Sequence, residues 1–236
     1  MSTIKADAIT ASTGTNTNIA ISGKGSGKVK LGDGNLLFPD ADGSAGQYIK
    51  TDGSANLAFA TLPTASQDVV LLQTVEASSS ATVSLTSFDN STYNNYLVVI
   101  DAVPASDSVG LQAKFSTDGG SSYITADYDF GRIVRENTTV YGQQGFSQSI
   151  ITCGGFTVGN AAYTGGWVGT MELFNCASTS VGTGFYVIGG AFRNSGTTYN
   201  GTEWGVHGVA QDMDAIQFLF SSGNIASGTF KLYGRK

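Results

Sequence analysis

Few residues in the chain have the chemistry of a catalytic group. His207 is the only histidine, so a Ser-His-Asp site would have to use it, and a lone histidine in a strand-like segment is more often structural or ligand-contacting. A glycosidase would need carboxylate pairs, and the candidates are Asp127 with Asp129 and Asp212 with Asp214. The members of each pair share a sheet face if the segment is extended. Asp-x-Asp near a strand end is more typical of a solvated turn, so we predict no catalytic residue and no enzyme.

The two cysteines, Cys153 and Cys176, lie in strand-like runs and leave three interpretations open. The favoured one is a pair of buried free thiols. The others are a disulfide between neighbouring strands and a metal-binding pair. Two thiolates without a further histidine or cysteine do not complete a zinc site, so we predict no metal ion.

Two segments resemble cofactor loops in part. Residues 23–28 place three residues, not the required four, between the first glycine and the Gly-Lys pair, so they do not match a phosphate-binding loop. Residues 40–44 open like a calcium loop, but Thr51 stands where the pattern needs glutamate. Both segments are predicted to be turns, with a weak cation site as the alternative for the second. No cofactor is expected.

Two segments rich in Gly, Asn and Thr carry aromatic residues and are predicted to be surface loops. They are residues 135–146 and 194–204. Flat aromatic faces stack on the C–H groups of sugars, and amide side chains bond to hydroxyl groups. We therefore predict glycan binding by Tyr141, Gln143, Tyr199, Asn200 and Trp204. The alternative is that Trp204 and Phe146 belong to the core and that the segments are ordinary long turns.

The elements that must position these side chains are predicted to be β-strands. Apolar residues recur at every second position, turn residues separate the apolar runs at intervals of about ten residues, and no comparable stretch has a clean helical period. This pattern is typical of an all-β sandwich or jelly roll. The predicted strands are 69–75, 82–88, 96–102, 109–115, 123–130, 148–158, 166–174, 184–192 and 205–210, followed by residues 215–234.

Residues 215–234 are predicted to form a hairpin that closes the sandwich. Apolar side chains recur every second residue in both halves, and residues 221–224, Ser-Ser-Gly-Asn, supply a turn between them. Residues 118–121, Asp-Gly-Gly-Ser, predict a second hairpin turn.

Residues 1–62 differ from the rest of the chain. Their apolar residues come in short pairs separated by small polar residues, and two Asp-Gly pairs that are 19 residues apart form a weak internal repeat. Units this small do not bury their own apolar faces and need stacked neighbours or partner chains. We therefore predict an intertwined trimeric β-shaft over residues 1–62, a linker at 63–66 and a jelly-roll-like β-sandwich over 67–236.

Composition narrows the range of partners. Only 13% of residues are charged and the net charge is −6, so Ser, Thr, Asn and Gly build much of the surface. There is no basic stripe, so nucleic acid is not expected as a partner, and an acidic body does not favour anionic membranes. No segment approaches the roughly 20 apolar residues of a membrane helix, and the polar N-terminus has no signal-peptide run. Membrane insertion is therefore not expected.

Three stretches carry a resemblance to a known group of proteins. They are residues 1–16, residues 110–123 (GLQAKFSTDGGSSY) and residues 218–234 (FLFSSGNIASGTFKLYG). They resemble segments of bacteriophage virion proteins, chiefly tail fibres and capsid decoration proteins. The resemblance implies a homotrimeric virion structural protein that is made in the host cytoplasm without a signal peptide.

The resemblance leaves the role in the virion open. The leading expectation is a tail fibre or receptor-binding protein, whose sandwich contacts host surface glycan and whose residues 1–62 attach to other virion proteins. The alternative is a capsid decoration or head-fibre protein. A polysaccharide-degrading tailspike carries the least weight.

Overall fold

Antiparallel β-strands build the fold, as predicted. The computed structural model describes residues 30–31, 36–39, 43–54, 56–62, 68–160, 165–192 and 196–236. Within these ranges the helical structure is one three-residue 3₁₀ turn, Cys153–Gly155, and no helix is long and apolar enough to cross a membrane. The chain divides into two compact units, Met1–Ser66 and Gln67–Lys236.

The described strands of the first unit form two short antiparallel pairs. They are β1 (Lys30–Leu31) with β2 (Leu36–Leu37), and β3 (Gln47–Thr51) with β4 (Leu57–Thr61). The Asp52 carboxylate closes the turn between β3 and β4. It accepts hydrogen bonds from the Asn56 side chain at 2.9 Å and from the backbone N–H groups of Ser54 and Asn56 at 2.7 and 3.1 Å. These bonds lower the pKa of Asp52.

The hairpin of β3 and β4 has no core of its own. None of residues 43–54 and 56–62 is buried, and Ile49 is 47% exposed. A two-stranded hairpin is marginally stable at best in water. Residues 1–29 and 40–42, which hold much of the predicted shaft and of the two rejected cofactor loops, lie outside the described residues. The trimeric arrangement of the shaft therefore stays a prediction.

The second unit is a β-sandwich of two unequal sheets, which confirms the predicted fold class. The larger sheet has eight strands in the order β10-β9-β13-β12-β11-β7-β15-β5, and the smaller has three in the order β6-β14-β8. The strands are β5 (Val69–Ser80), β6 (Val83–Leu85), β7 (Asn95–Pro104), β8 (Leu111–Ser116), β9 (Tyr128–Glu136), β10 (Thr139–Gln148), β11 (Trp167–Phe174), β12 (Gly184–Phe192), β13 (Thr198–His207), β14 (Ala215–Phe220) and β15 (Ile225–Arg235). Every pair of neighbouring strands is antiparallel.

The core lies between the two sheets. Side chains alternate between the core and the opposite face along most strands, as the period of two predicted. Aromatic rings cross the gap: Phe115 of β8 lies edge-on to Phe185 of β12 at 6.4 Å, and Phe218 of β14 lies 5.3 Å from Phe230 of β15. Burying a side chain of this size stabilises the fold by roughly 2–3 kcal/mol.

The hairpin predicted for residues 215–234 is wrong. β14 belongs to the three-stranded sheet and β15 to the eight-stranded sheet, so residues 221–224 carry the chain from one sheet to the other. The apolar faces of the two strands enter the core from opposite sides, and Phe218 and Phe230 bury each other there. A hydrogen-bonded hairpin would instead place both rings on one sheet face.

The turn at residues 118–121 also connects the sheets and does not form a hairpin. The chain reaches it from β8 in the small sheet and continues to β9 in the large one. The Asp118 side chain holds the turn, because its carboxylate accepts hydrogen bonds from the hydroxyl and backbone N–H of Ser122 at 2.6 and 2.9 Å. These bonds lower the pKa of Asp118 to about 2.

Three segments have a different structure from the one predicted. Residues 135–146 and 194–204, predicted as loops, contribute the end of β9, most of β10 and most of β13. Residues 148–158, predicted as a strand, hold the 3₁₀ turn flanked by isolated bridges at Ile151 and Val158. The reassignment places the predicted glycan-binding residues on a sheet.

Candidate functional site

One face of the eight-stranded sheet points away from the three-stranded sheet, and we call it the outer face. Its side chains form rows that run across the strands, because the register aligns one residue from each strand. Three rows matter for the site, each written from β10 to β7. The first is Gln144, Gly131, Trp204, Tyr186, Glu172 and Leu97. The second is Gly142, Ile133, Thr202, Ile188, Thr170 and Val99, and the third is Val140, Arg135, Asn200, Gly190, Val168 and Asp101.

Trp204 is the most prominent aromatic side chain of the outer face. It lies opposite Gly131 in the register, and 65% of its surface is exposed. A Cβ on Gly131 would meet Cζ2 of the indole at 2.8 Å and Cε2 at 3.1 Å. One face of the indole therefore shields the strand glycine, and the other face is open to solvent.

The indole borders an open depression of about 470 Å³. Gln144, Thr202 and Ile133 line it as well. Within the described part of the chain, the indole N–H, the Gln144 carboxamide and the Thr202 hydroxyl form no hydrogen bond. The depression therefore combines a flat apolar surface with polar groups that are available to a ligand.

A second depression, of about 390 Å³, continues along the same face. Arg135, Asn200 and Val140 line it, and it shares Ile133 and Thr202 with the first. We call the two depressions together the outer groove. It runs from Trp204 at one end to Arg135 at the other.

The outer groove includes two of the five predicted glycan-binding residues on its open side. Trp204 and Asn200 are both exposed there, four residues apart on β13. Arg135, Gln144 and Thr202 were not predicted as binding residues, although all three lie in the segments that were singled out. Strand periodicity would have found Thr202, because it shares a strand face with Asn200 and Trp204.

Tyr199 is a core residue and offers no ring to a sugar. It is 8% exposed, its ring stacks on Phe156 at 5.9 Å and 13°, and its hydroxyl donates to Oε1 of Glu136 at 2.8 Å. The prediction treated its segment as a loop, whereas a strand turns Tyr199 and Asn200 to opposite faces.

Tyr141 and Gln143 also lie on the opposite side of the sheet from the exposed indole. Tyr141 pairs with Val134 and packs, half-buried, against the core. Gln143 is exposed at the edge of the first depression, but its Oε1 accepts hydrogen bonds from Nε of Arg132 at 2.8 Å and from Nη2 at 2.5 Å. The Gln143 side chain is thus engaged by Arg132.

A buried ion pair lies on the inner side of the sheet at this point, and it was not predicted from the sequence. Glu203 is fully buried, with Oε2 at 3.4 Å from Nη1 of Arg132 and Oε1 without a hydrogen-bond partner among the described residues. Burial raises the pKa of Glu203 to about 7, although Arg132 opposes the shift. The carboxyl group is closed off from the outer groove.

The residues considered for catalysis have structural contacts. His207 is buried, with Nδ1 at 3.0 Å from the carbonyl oxygen of Val209 and its ring edge-on to Tyr128. Cys153 and Cys176 are free and buried, and burial raises the pKa of both thiols. Their positions fit the interpretation as buried free thiols.

Three of the four paired carboxylates hold turns and loops together. Asp129 accepts a hydrogen bond from the backbone N–H of Ser147 at 2.7 Å, and Asp127 and Asp129 border a depression of about 150 Å³. Asp212 accepts from the Asn90 side chain, and Asp214 accepts from the backbone N–H of Gly119 at 2.9 Å.

No group of three or more His, Cys, Asp and Glu residues in the described ranges is placed to hold a metal ion. Comparison with protein-family models, with curated proteins and with solved structures finds no match to the chain. The outer groove is therefore the candidate site on the strength of its own geometry.

Proposed function

We propose that the chain is a non-enzymatic structural protein of a bacteriophage virion, a tail fibre or receptor-binding protein that binds host surface glycan through the outer groove. The observation that carries the binding role is the Trp204 indole, laid over Gly131 with its other side in solvent. The virion role rests on the resemblance of residues 1–16, 110–123 and 218–234.

The chemistry of the outer groove suits a sugar. The axial and ring C–H groups on one side of a pyranose form a flat apolar surface that packs on an aromatic ring, while its hydroxyl groups need hydrogen-bond partners at the rim. Trp204 supplies the ring, and Gln144, Thr202 and Asn200 supply polar groups within the same groove. An open groove of this kind gives weak binding at each site.

Trimer formation would compensate for weak single sites. The hairpin of β3 and β4 exposes Ile49 and buries none of its described residues, which favours burial against partner chains. Three glycan sites on one rigid body bind a multivalent surface far more tightly than one site does, without any new contact.

The second candidate is a capsid decoration or head-fibre protein. The observation that favours it is a group of aliphatic side chains on the outer face, Val99, Val168 and Ile188, which are exposed and lie on neighbouring strands. Exposed aliphatic groups in a cluster are more typical of a protein contact than of a sugar site.

Binding of the purified full-length protein to host cells and to isolated host surface polysaccharide tests the proposal. Trp204→Ala is expected to weaken binding about tenfold or more, from the loss of buried apolar area. Phe146→Ala is the matched control, because Phe146 is also 65% exposed and lines neither depression of the outer groove. Equal binding by wild type and Trp204→Ala would contradict the glycan role.

Antibody-gold labelling of intact particles distinguishes the two virion roles. Gold label at the tail would support the receptor-binding role. Gold label over the capsid shell would instead support the role as a capsid decoration or head-fibre protein. Release of reducing ends from the polysaccharide would instead indicate a degrading tailspike and would direct attention to Asp127 and Asp129.

A further inference from the structure

The end of the outer groove opposite Trp204 carries a cation. Arg135 is exposed on β9, where the register places it between Val140 of β10 and Asn200 of β13. Its Nε donates a hydrogen bond to the carbonyl oxygen of Asn137 at 2.8 Å. Its two terminal nitrogens donate to no described residue, so the guanidinium is held by one edge and offers the other.

Asn200 completes a receptor for an anion beside Arg135. Its carboxamide is exposed in the second depression and makes no hydrogen bond within the described ranges. A planar guanidinium binds a carboxylate or a phosphate through two parallel N–H groups, and a neighbouring amide N–H adds a third donor.

The spacing of the two ends selects for an extended ligand. Trp204 and Asn200 are four residues apart on one strand, which corresponds to roughly 13 Å at the rise of a β-strand. One sugar ring does not span that distance. Ile133 and Thr202 line the floor between the two ends, so a chain of sugars can lie along the groove without a break.

The net charge of −6 argues against an acidic ligand, but the acidic side chains of the outer face lie far from Arg135. Glu172 lies three strands from β9 and pairs with Arg235, and Glu76 lies six strands from β9. Asp129 is six residues away on β9, roughly 20 Å, and Asp101 is four strands away in the same row, roughly 19 Å. Both distances exceed the Debye length of about 8 Å at physiological salt. Glu136, next in sequence, points to the other face and accepts the Tyr199 hydroxyl.

Resting on the proposed function, we infer that the outer groove binds an acidic oligosaccharide. One sugar ring of the ligand stacks on Trp204, and an anionic group on a sugar farther along the chain, a carboxylate or a phosphate, binds Arg135 and Asn200. The aromatic end supplies binding to any pyranose of suitable shape, and the cationic end supplies the selectivity for acidic glycans.

The test is a glycan array of bacterial surface oligosaccharides in matched pairs. Each uronate-containing glycan is printed beside its carboxyl-reduced form, and each phosphorylated glycan beside its dephosphorylated form. The full-length wild-type protein is expected to prefer the acidic member of a pair about tenfold, the usual effect of a hydrogen bond to a charged group. The kind of pair that shows the preference tells carboxylate from phosphate.

Arg135→Gln is expected to remove the preference and to keep the binding of the neutral member. Lys231→Gln is the matched control, because it makes the same change of charge on the outer face five strands from β9. Repeating the wild-type measurement in about 1 M NaCl, where the Debye length is about 3 Å, is expected to reduce the preference.

Each outcome decides one of the two proposals. A wild-type protein that binds both members of every pair equally, or an Arg135→Gln variant that keeps the preference, overturns the acidic ligand and leaves the glycan role intact. Binding of neutral and acidic glycans that survives Trp204→Ala overturns the outer groove as the site. An array without any bound glycan contradicts the proposed function itself.

Discussion

At several points in the eight-stranded sheet a glycine lies against an aromatic ring of the neighbouring strand. A Cβ on Gly131 would collide with Trp204, one on Gly189 with Trp167, and one on Gly145 with Phe130, in each case at 2.8 Å or less. These glycines therefore make room for aromatic rings. At Gly131 this packing faces solvent and produces the surface to which we assign glycan binding.

Gly131→Ala tests whether the position of the indole matters. The added methyl group would meet Cζ2 at 2.8 Å, and because Trp204 is exposed the indole can swing outward without disrupting the core. We expect weaker glycan binding, about tenfold, with little change in melting temperature. Gly184→Ala is the control, since its Cβ would meet no atom closer than 3.7 Å. Unchanged binding by Gly131→Ala would show that the flat indole is dispensable.

Glu203 makes the stability of the fold dependent on pH. Burial raises its pKa to about 7 in the folded state, above the ordinary glutamate value of 4.5, so the folded state holds the proton more tightly than the unfolded state does. This contribution to stability is present in full below the unfolded pKa and is lost as the pH rises through about 7.

We expect the free energy of unfolding to fall by about 2 kcal/mol between about pH 5 and about pH 8 from this group alone. Glu203→Gln removes the ionisation, so its unfolding free energy in urea should change less with pH than that of wild type. The measurement is the change of unfolding free energy with pH, compared between wild type and Glu203→Gln. The same dependence of unfolding free energy on pH in wild type and variant would contradict the raised pKa of Glu203.

At the scale of the strands, apolar alternation located most elements of the sandwich. Residues 96–102, 166–174 and 184–192 match β7, β11 and β12 within two residues at each end. Alternation records which side chains face the core, but not which sheet a strand joins. The partners of β14 and β15 were therefore assigned wrongly, although both strands were found.

Most of the polar strand β13 was not predicted as a strand, and the reason is physical. Apart from Tyr199, its inward positions are not the large apolar residues that mark a buried strand face: Gly201 and Gly205 leave room for the rings of Phe156 and Phe185, and Glu203 pairs with Arg132. The segment therefore lacks the alternation that identifies a strand. Trp204 and Asn200 were singled out for their chemistry, and the register that brings Arg135 beside Asn200 needed the structure.

The crossing from β14 to β15 predicts an energetic coupling across the core. Phe218 and Phe230 are fully buried with ring centroids 5.3 Å apart. Phe218→Ala is expected to cost about 3–5 kcal/mol of unfolding free energy. In a double-mutant cycle with Phe230→Ala, we expect a coupling of about 0.5–1.5 kcal/mol, measured by urea unfolding. Additive effects would contradict direct contact between the two sheets at this point.

At the scale of the whole molecule, the proposed trimer is needed to bury the apolar residues of the first unit and to bring three glycan sites together. The described hairpin of the first unit buries no residue, and the outer groove is open. Gel filtration with light scattering on the full-length protein should give about 73 kDa, three times the chain mass of 24.4 kDa. A mass of one chain at micromolar concentration would contradict the trimer and, with it, the gain in affinity from three sites.

The two tryptophans report separately on the outer groove and the core. Trp167 is fully buried and donates its indole N–H to the carbonyl oxygen of Cys153 at 3.1 Å, whereas Trp204 is 65% exposed. Quenching of the intrinsic fluorescence by acrylamide therefore reports mainly on Trp204. The decisive experiment measures this quenching with and without a saturating amount of an oligosaccharide that the protein binds on the array.

We predict that the bound oligosaccharide shields Trp204, so that quenching falls to the low level of the Trp204→Phe variant, in which only the buried indole remains. Quenching that is unchanged while the oligosaccharide is demonstrably bound would place the glycan elsewhere on the molecule and contradict the outer groove as its site.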